Sequence, residues 1–281
     1  MSLEPAAFER IRKLVHQRTA IVLDAGKEYL VESRLSPIAR AHGYADVNEL
    51  CRQLDRNAPL IAEVVEAMTT NETSFFRDHH PFEALRREVI PDLLRKRADK
   101  RTLRIWCAAC STGQEPYSVA MLLDEHFPQL GVWNVSILAT DVARGVLARA
   151  RSGRYRQIEV NRGLSAGLLV KYFVRDGLEW EIRPEIKRRV LFQELNLIGT
   201  WPPMEPFDLI FLRNVLIYFD QSTKMTILRN VHQLAAPDGY LVLGGSETPP
   251  HGVSTFERLP IARAGIYKRL PTRPSQSSRA R

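Results

Sequence analysis

A few side chains in this sequence stand where they could act on a small ligand. Glu115 follows a lone glycine, Gly113, within the stretch RIWCAACSTGQEPYSVAMLL, Arg104 to Leu123. Asp141 comes just after the apolar run Val135–Ala139. Arg213 and Asn214 stop a second apolar run inside FDLIFLRNVLIYFD, Phe207 to Asp220, and Tyr218 follows about one helical turn later. Arg77 follows two adjacent aromatics, Phe75 and Phe76, in TTNETSFFRDHHPF, Thr69 to Phe82.

The spacing around Gly113 limits the ligand. A dinucleotide turn is written G-x-G-x-x-G and a P-loop needs G-K-[ST]; this turn has neither. A carboxylate at Glu115 would repel a pyrophosphate. It suits a ligand with a positive amino group, such as the amino-acid part of S-adenosylmethionine. It would also suit simple capping, because acidic groups are favoured in the first turn of a helix. These two readings stand level. Asp141 has a similar pair: an N-cap for the helix expected at Val142–Arg151, or a partner for ribose hydroxyls at the end of a second strand. Its distance in sequence from Gly113 favours the ribose.

The elements that must position these groups follow from periodicity. Leu103–Cys107 is a short strand, Ala108–Gly113 a small-residue turn that lets a ligand approach the backbone, and the segment from Pro116 a helix. Strand, tight turn, helix opens a nucleotide-binding α/β domain. Asp208–Leu212 is a buried strand, and polar groups at its carboxyl end would lie at the ligand crevice of a parallel sheet. Ser222–Leu234 is a helix that ends at the turn Pro237-Asp238-Gly239. Tyr240–Leu243 and Ile266-Tyr267 are further strands.

Residues 5 to about 95 read as helices throughout, with Phe8, Ile11, Leu14 and Val15, then Tyr29, Leu30, Ser33 and Leu35, then Ile61, Val64, Val65 and Met68 at helical spacing. Asn71, Thr73 and Ser74 could each cap the helix that follows, but the run has more hydrogen-bonding groups than capping needs. Arg77 can hold a carboxylate in bidentate fashion. His79 and His80 are adjacent, so on a helix they diverge and read as surface or capping residues. Between Arg154 and about Arg188 the α/β rhythm breaks. Tyr155–Ile158 is strand-like, Leu164–Phe173 helical, Gly177–Ile182 alternating, and a strand could run through Arg189–Phe192. We expect a small antiparallel insertion there. The main sheet resumes near Val190–Leu197, with Asn196 at its end.

Composition excludes several classes. The chain has 281 residues, with the apolar and charged fractions of a soluble globular protein. No apolar run reaches the roughly 18 residues of a membrane span, and the N-terminus reads as an amphipathic helix, not a secretory signal. Cys107 and Cys110 form a C-x-x-C, but no second ligand pair follows. They and Cys51 read as small buried thiols in a cytoplasmic protein. No metal site is expected. The net charge of +8 is local: Arg144–Arg189 holds 12 Lys and Arg against 5 Asp and Glu. The tail from Pro271 reads as disordered and basic. Such a distribution fits an acidic protein surface at least as well as nucleic acid, and no nucleic-acid module is present.

Three stretches together resemble the chemotaxis receptor-glutamate methyltransferases, the CheR family: Thr69–Asp78 (TTNETSFFRD), Ile105–Ser118 (IWCAACSTGQEPYS) with Ala139–Asp141, and Phe207–Asp220. The resemblance implies an α/β fold: a Rossmann-like class I methyltransferase domain over residues 86–270, an N-terminal all-helical domain over 1–85, and a small antiparallel β-subdomain inserted at about 154–188. It implies S-adenosyl-L-methionine as cofactor, with S-adenosyl-L-homocysteine as product. The substrates would be glutamate side chains of methyl-accepting chemoreceptor cytoplasmic domains, and a receptor tail peptide is a candidate ligand of the β-subdomain. Carried over by position, the cofactor contacts are Asn71, Thr73, Arg77, Glu115, Asp141, Asn196, Leu197, Arg213 and Asn214. Arg77 and Tyr218 stand closest to the methyl acceptor. One departure is visible: Gly244-Gly245-Ser246-Glu247 replaces the family's usual G-H-S-E. The reading is of a monomer without nucleic acid or membrane insertion. The alternative is a non-enzymatic protein that senses S-adenosylmethionine or binds through its basic surface.

Overall fold

The computed structural model describes residues 3–250, 255–261 and 263–271; the basic tail expected from Pro271 lies beyond them except for Pro271 itself. The chain opens with four helices, α1 Pro5–Thr19, α2 Glu28–Ala41, α3 Val47–Arg52 and α4 Ala58–Met68. Their apolar stripes close on one another around Phe8, Ile11, Val15, Leu35, Leu50 and Val64. Asp46 and Asn57 cap α3 and α4 by accepting from the amides of Glu49 and Leu60 at 2.8 and 3.1 Å. In α2 the buried face is Val31, Leu35 and Ile38. Tyr29, expected inside, is 64% exposed. It lies on the first turn of α2, with the Lys27 ammonium 6.0 Å from its ring centroid.

After a loop over residues 69–79 the chain re-enters helix at α5 His80–Ala84, passes a π turn at Leu85–Val89 and continues as α6 Ile90–Lys96. The wide turn stands just before Pro91, which has no N–H to give the helical ladder. The α/β part then begins: β1 Thr102–Ala108, α7 Gln114–His126, β2 Asn134–Asp141 and α8 Arg144–Ser152. An excursion follows, β3 Arg154–Arg156, α9 Gln157–Val160, α10 Ala166–Tyr172, β4 Phe173–Asp176, β5 Glu179–Ile182 and α11 Pro184–Lys187. The main fold resumes with β6 Val190–Glu194, β7 Phe207–Leu212, α12 Gln221–Leu234, β8 Ala235–Leu243, β9 Phe256–Arg258 and β10 Ile266–Arg269.

Seven strands form one sheet in the order β6-β2-β1-β7-β8-β10-β9. The first five are parallel, and β10 runs antiparallel to both β8 and β9. Both faces are covered, so the central strand β7 is buried at every residue. Leu209 and Phe211 join one core, and Ile210 and Leu212 the other. The chain order reverses between β1 and β7, which places a ligand crevice outside their carboxyl ends. Among the described residues no helix is long and apolar enough to cross a membrane.

The insertion is a three-stranded antiparallel sheet, β3-β5-β4. Its strands differ from those expected. The first stops at Arg156, and Gln157–Val160 turns helical. Phe173, expected to end a helix, starts β4, because its ring is drawn against Phe75 in an edge contact at 5.5 Å between centroids. Val190–Glu194 pairs with β2 at the edge of the main sheet, in line with the main sheet resuming near Val190, and not with the insertion, as a strand through Arg189–Phe192 would have. Pro237-Asp238-Gly239 is likewise not a turn. It lies within β8, where the register to β7 shifts, so the turn residues mark a bulge.

Phe75 ties this insertion to the loop over residues 69–79, with Tyr155 of β3 at 5.0 Å. The contact is so close that Gly163, at φ +97°, could carry no side chain: an added Cβ would stand 1.8 Å from the Phe75 carbonyl oxygen. We predict that Gly163→Ala lowers stability more than Gly177→Ala. The latter also has a positive φ, +61°, but has open space around it. Backbone strain alone should cost about 1 kcal/mol at Gly177, and the clash should at least double that at Gly163. Denaturant midpoints measure both, and equal losses would contradict the packing described.

Candidate active site

The carboxyl ends of four parallel strands meet at one cleft of about 910 Å³, counted to its open mouth. The end of β1 contributes Ala109, Cys110 and Ser111, with Glu115 from α7. The end of β2 contributes Asp141, the segment after β6 Leu195–Leu197, and the end of β7 Arg213, Asn214 and, through a short 3-10 turn, Tyr218. The loop after α4 closes one side with Thr69–Thr73 and Arg77, and the connection from α1 to α2 adds Thr19 and Ile21. Asn71, Thr73, Arg77, Glu115, Asp141, Asn196, Leu197, Arg213, Asn214 and Tyr218, far apart in sequence, thus share one cavity.

The turn after β1 is strained. Ala109, Ser111 and Gly113 have φ of 55°, 50° and 92°, and each non-glycine in that region costs on the order of 1 kcal/mol or more. Asp141 helps hold it, since its carboxylate accepts from the Ser111 amide at 2.8 Å and the Ala143 amide at 3.0 Å. Burial pushes its carboxyl up, and these hydrogen bonds pull against that. The Ser111 hydroxyl donates to the Asn71 carbonyl at 2.8 Å, fastening the turn to the loop opposite. Gly113 does not face the cleft. An added Cβ would come within 3.0 Å of Ala150, 3.2 Å of the Tyr155 hydroxyl and 3.3 Å of Phe192. The glycine makes room for α8 and the insertion, while the ligand side of the turn is Ala109–Ser111.

Arg213 is the polar centre. Its side chain is 1% exposed and its guanidinium spans three segments. It donates to Glu115 at 2.9 Å, to Asp78 at 2.8 Å and to the Arg77 carbonyl at 2.9 Å, and lies over the Phe82 ring at 5.8 Å. Its Nε–H is buried and has no partner among the described residues. Glu115 therefore already has a cation beside it. Even so, burial raises its carboxyl, and Arg213 only partly opposes the rise. One Glu115 oxygen is engaged and the other has no hydrogen bond among the described residues.

The remaining groups are held from several sides. Arg77 donates to the Glu72 carbonyl at 2.7 Å, so its guanidinium curls over its own loop. The Phe76 amide donates to the Ser118 hydroxyl at 2.9 Å, and Phe76, Asp78 and His79 all have positive φ. None of Asn71, Thr73 or Ser74 caps α5. The Asn71 amide instead bonds the Thr69 hydroxyl at 2.9 Å. Asn196 donates to the Arg18 carbonyl at 2.7 Å and accepts from the Ile198 amide at 3.2 Å. The Tyr218 carbonyl accepts from the Val22 amide at 2.9 Å, which brings the α1–α2 connection onto the cleft wall.

Several partners carried no readable signal. Ser111 is one small residue in a small-residue turn, Thr19 and Ile21 belong to a distant helix end, and Asp78 is an ordinary acid beside Arg77. Glu247 sat in the G-G-S-E run without an assigned role. Among the described residues no group of three or more His, Cys, Asp and Glu could hold a metal ion, and all three cysteines are buried thiols. Several of the basic residues in this segment are paired: Arg149 with Glu159, Arg154 with Asp176 and Glu179, Arg162 with Glu72, and Arg189 with Asp124.

Comparison with known proteins matches residues 6–69 to the all-alpha domain of CheR methyltransferases and residues 71–264 to their SAM binding domain. Chemotaxis protein methyltransferase 1 of Pseudomonas aeruginosa is 42% identical over 274 residues, covering 95% of this chain and 99% of that one. Chemotaxis protein methyltransferase Cher2 of Pseudomonas putida is 40% identical over 254 residues, covering 88% and 92%. The chemotaxis protein methyltransferase of Escherichia coli is 39% identical over 260 residues, covering 89% and 87%.

The Arg213 pairs lead to a stability prediction. Arg213→Met leaves Glu115 without its buried cation, and removing one member of a buried pair costs about 3 kcal/mol or more. Asp78 is 44% exposed, so Asp78→Asn should cost less than about 1 kcal/mol. Chemical denaturation of both variants tests the contrast. Equal small losses would show that Arg213 is not the organising group.

Proposed function

The chain belongs to the CheR methyltransferase family, and on that premise we propose that it methylates glutamate side chains on the cytoplasmic domains of chemoreceptors. S-adenosylmethionine is the family's cofactor and supplies an electrophilic methyl group on a sulfonium. The observation that carries the reading is the meeting of Glu115, Asp141, Arg77, Arg213 and Tyr218 on one cleft at the switch point of a parallel sheet.

The donor set fits such a cofactor. Glu115 has an oxygen to spare for an ammonium group, and Asp141 has lone pairs left for ribose hydroxyls after its two amide bonds. The Arg77 nitrogens not spent on the Glu72 carbonyl offer donors to a carboxylate. Asn196 and Leu197 flank the region for an adenine. Gly113 packs toward Ala150, Tyr155 and Phe192 and gives the cleft no phosphate cradle.

Chemistry at a glutamate acceptor asks little of the protein in proton transfer. A free glutamate has a pKa of about 4.3 and is ionised at neutral pH, so no general base is required. The protein's work is alignment and removal of water from the carboxylate. Arg77 is the orienting group in this reading. Its tether to the Glu72 carbonyl leaves only part of the fork for the acceptor. That restraint is useful, because a full bidentate grip would stabilise the ground state more than the transition state. Tyr218 lines the same cleft. The edges of the small sheet, β3 and β4, are each paired on one side only, which supports strand addition by a receptor tail peptide. The place of action in this reading is the cytoplasm.

Transfer of labelled methyl from S-adenosylmethionine to purified receptor cytoplasmic domains tests the proposal. Label released by mild alkali is expected, as for an ester, and alkali-stable label or none would reject the glutamate assignment. A second expectation concerns Glu115. Its carboxylate must be ionised to hold an ammonium group. Because burial raises the carboxyl above its ordinary range, S-adenosylhomocysteine affinity should be greatest at the alkaline end of the pH range. It should weaken as pH falls through the raised value, earlier than an ordinary carboxylate would cause. Glu115→Gln should lower affinity at neutral pH by about 1.5–3 kcal/mol and flatten the pH profile. Titration calorimetry from pH 5 to 8 reads both, and an unchanged profile would remove Glu115 from the ammonium site.

A further inference from the structure

We propose that Glu247 is a positioning residue for Tyr218, acting through the backbone of the segment that carries it. This rests on the reading that Tyr218 faces the methyl acceptor. Glu247 is 5% exposed and has no ion-pair partner among the described residues. Its carboxylate is met by main-chain amides instead. One oxygen accepts from Asn214 at 2.6 Å and from Gly244 at 2.8 Å, and the other accepts from Ile217 at 3.3 Å. Two of these amides lie within the loop from Arg213 to Tyr218, and the third directly follows β8.

A buried carboxylate held by N–H dipoles is costly to place unless those bonds are all made. What they fix here is unfavourable by itself: Asn214 has φ 56°, a left-handed conformation. The short turn Leu216–Tyr218 follows directly, closed by the Tyr218 amide on the Val215 carbonyl at 3.2 Å. The carboxylate therefore grips both ends of the bend that turns the tyrosine toward the cleft. The neighbouring glycine is part of the same device. A Cβ at Gly244 would stand 2.6 Å from the Asn214 amide nitrogen of the side chain and 2.7 Å from the Glu247 carboxylate. The first glycine of G-G-S-E thus lets the acid reach its three amides, and the position of the family's missing histidine, Gly245, has open space around it.

Glu247→Gln keeps the shape but sets an NH2 group against a backbone N–H. The test measures four properties of that variant: melting temperature, S-adenosylhomocysteine affinity, methyl-transfer turnover at saturating cofactor, and amide hydrogen exchange over residues 213–219. We expect a folded protein with affinity within about threefold of the parent, faster exchange confined to that segment, and turnover lower by ten- to a hundredfold. Misplacement of a group near reacting atoms by about 1 Å can cost that much. Tyr218→Phe and the double variant complete a cycle. If Glu247 acts through Tyr218, the double variant is no slower than Tyr218→Phe alone. Unchanged exchange and turnover in Glu247→Gln would overturn the proposal, as would fully multiplicative losses in the double variant. If Tyr218→Phe itself keeps full turnover, the reading of Tyr218 fails, and the two failures are told apart. Should Glu247→Gln not fold, Glu247→Asp is read the same way, since it keeps the charge but is one methylene too short to span the three amides. Loss of the fold in both would reduce Glu247 to a structural role and overturn the proposal.

Discussion

The cleft depends on one buried guanidinium. Arg213 ends the central strand β7 and reaches Glu115, Asp78 and the Arg77 carbonyl, which lie 98, 135 and 136 residues away in sequence. Taking such a group out of water is expensive unless its donors are met with good geometry. A planar fork can meet three acceptors in three directions, and a lysine ammonium on a flexible stem could not hold the same geometry. The consequence is cooperative. The first turn of α7, through Glu115, and the loop leaving the helical domain, through Asp78 and the Arg77 carbonyl, each satisfy part of Arg213 at the end of β7, so its terminal nitrogens are met only when these segments are docked together.

Around that centre, local strain and its compensation recur. The turn at Ala109–Ser111, the loop at Phe76–His79 and the bend at Asn214 all contain non-glycine residues with positive φ. Each is clamped by a side chain from elsewhere: Asp141 on the Ser111 amide, Ser118 on the Phe76 amide, Glu247 on the Asn214 amide. Such residues persist only where the surroundings over-determine them, and they gather at functional sites. The polar groups of the cleft are thus set by buried acceptors behind them, which is what alignment-dominated chemistry requires.

Much of this was legible in the sequence and some was not, for physical reasons. Strand β1 with its turn and α7, and the polar stop of β7 at Arg213-Asn214, could be read because a buried parallel strand is a continuous apolar run ended abruptly by polar residues. Three of the four opening helices could be read from their periodicity. The insertion could be located but not resolved. Its strands are three or four residues long, too short for alternation to outweigh tertiary contacts such as Phe173 on Phe75. Pro237-Asp238-Gly239 carries turn chemistry that a strand bulge uses equally well. The basic surplus at Arg144–Arg189 suggested an exposed patch, yet several of its arginines are spent on acids brought near by folding. Glu247 was visible as a residue and invisible as a function, since nothing local marks an acid whose partners are backbone amides.

The central claim is that the loop after α4, the turn after β1 and the segment after β7 form one ligand site. Amide hydrogen exchange with and without S-adenosylhomocysteine measures this directly. Residues 69–79, 109–115 and 213–218 are expected to gain protection together at the same ligand concentration. Protection confined to one of the three, or appearing elsewhere in the chain while these stay unchanged, would contradict it.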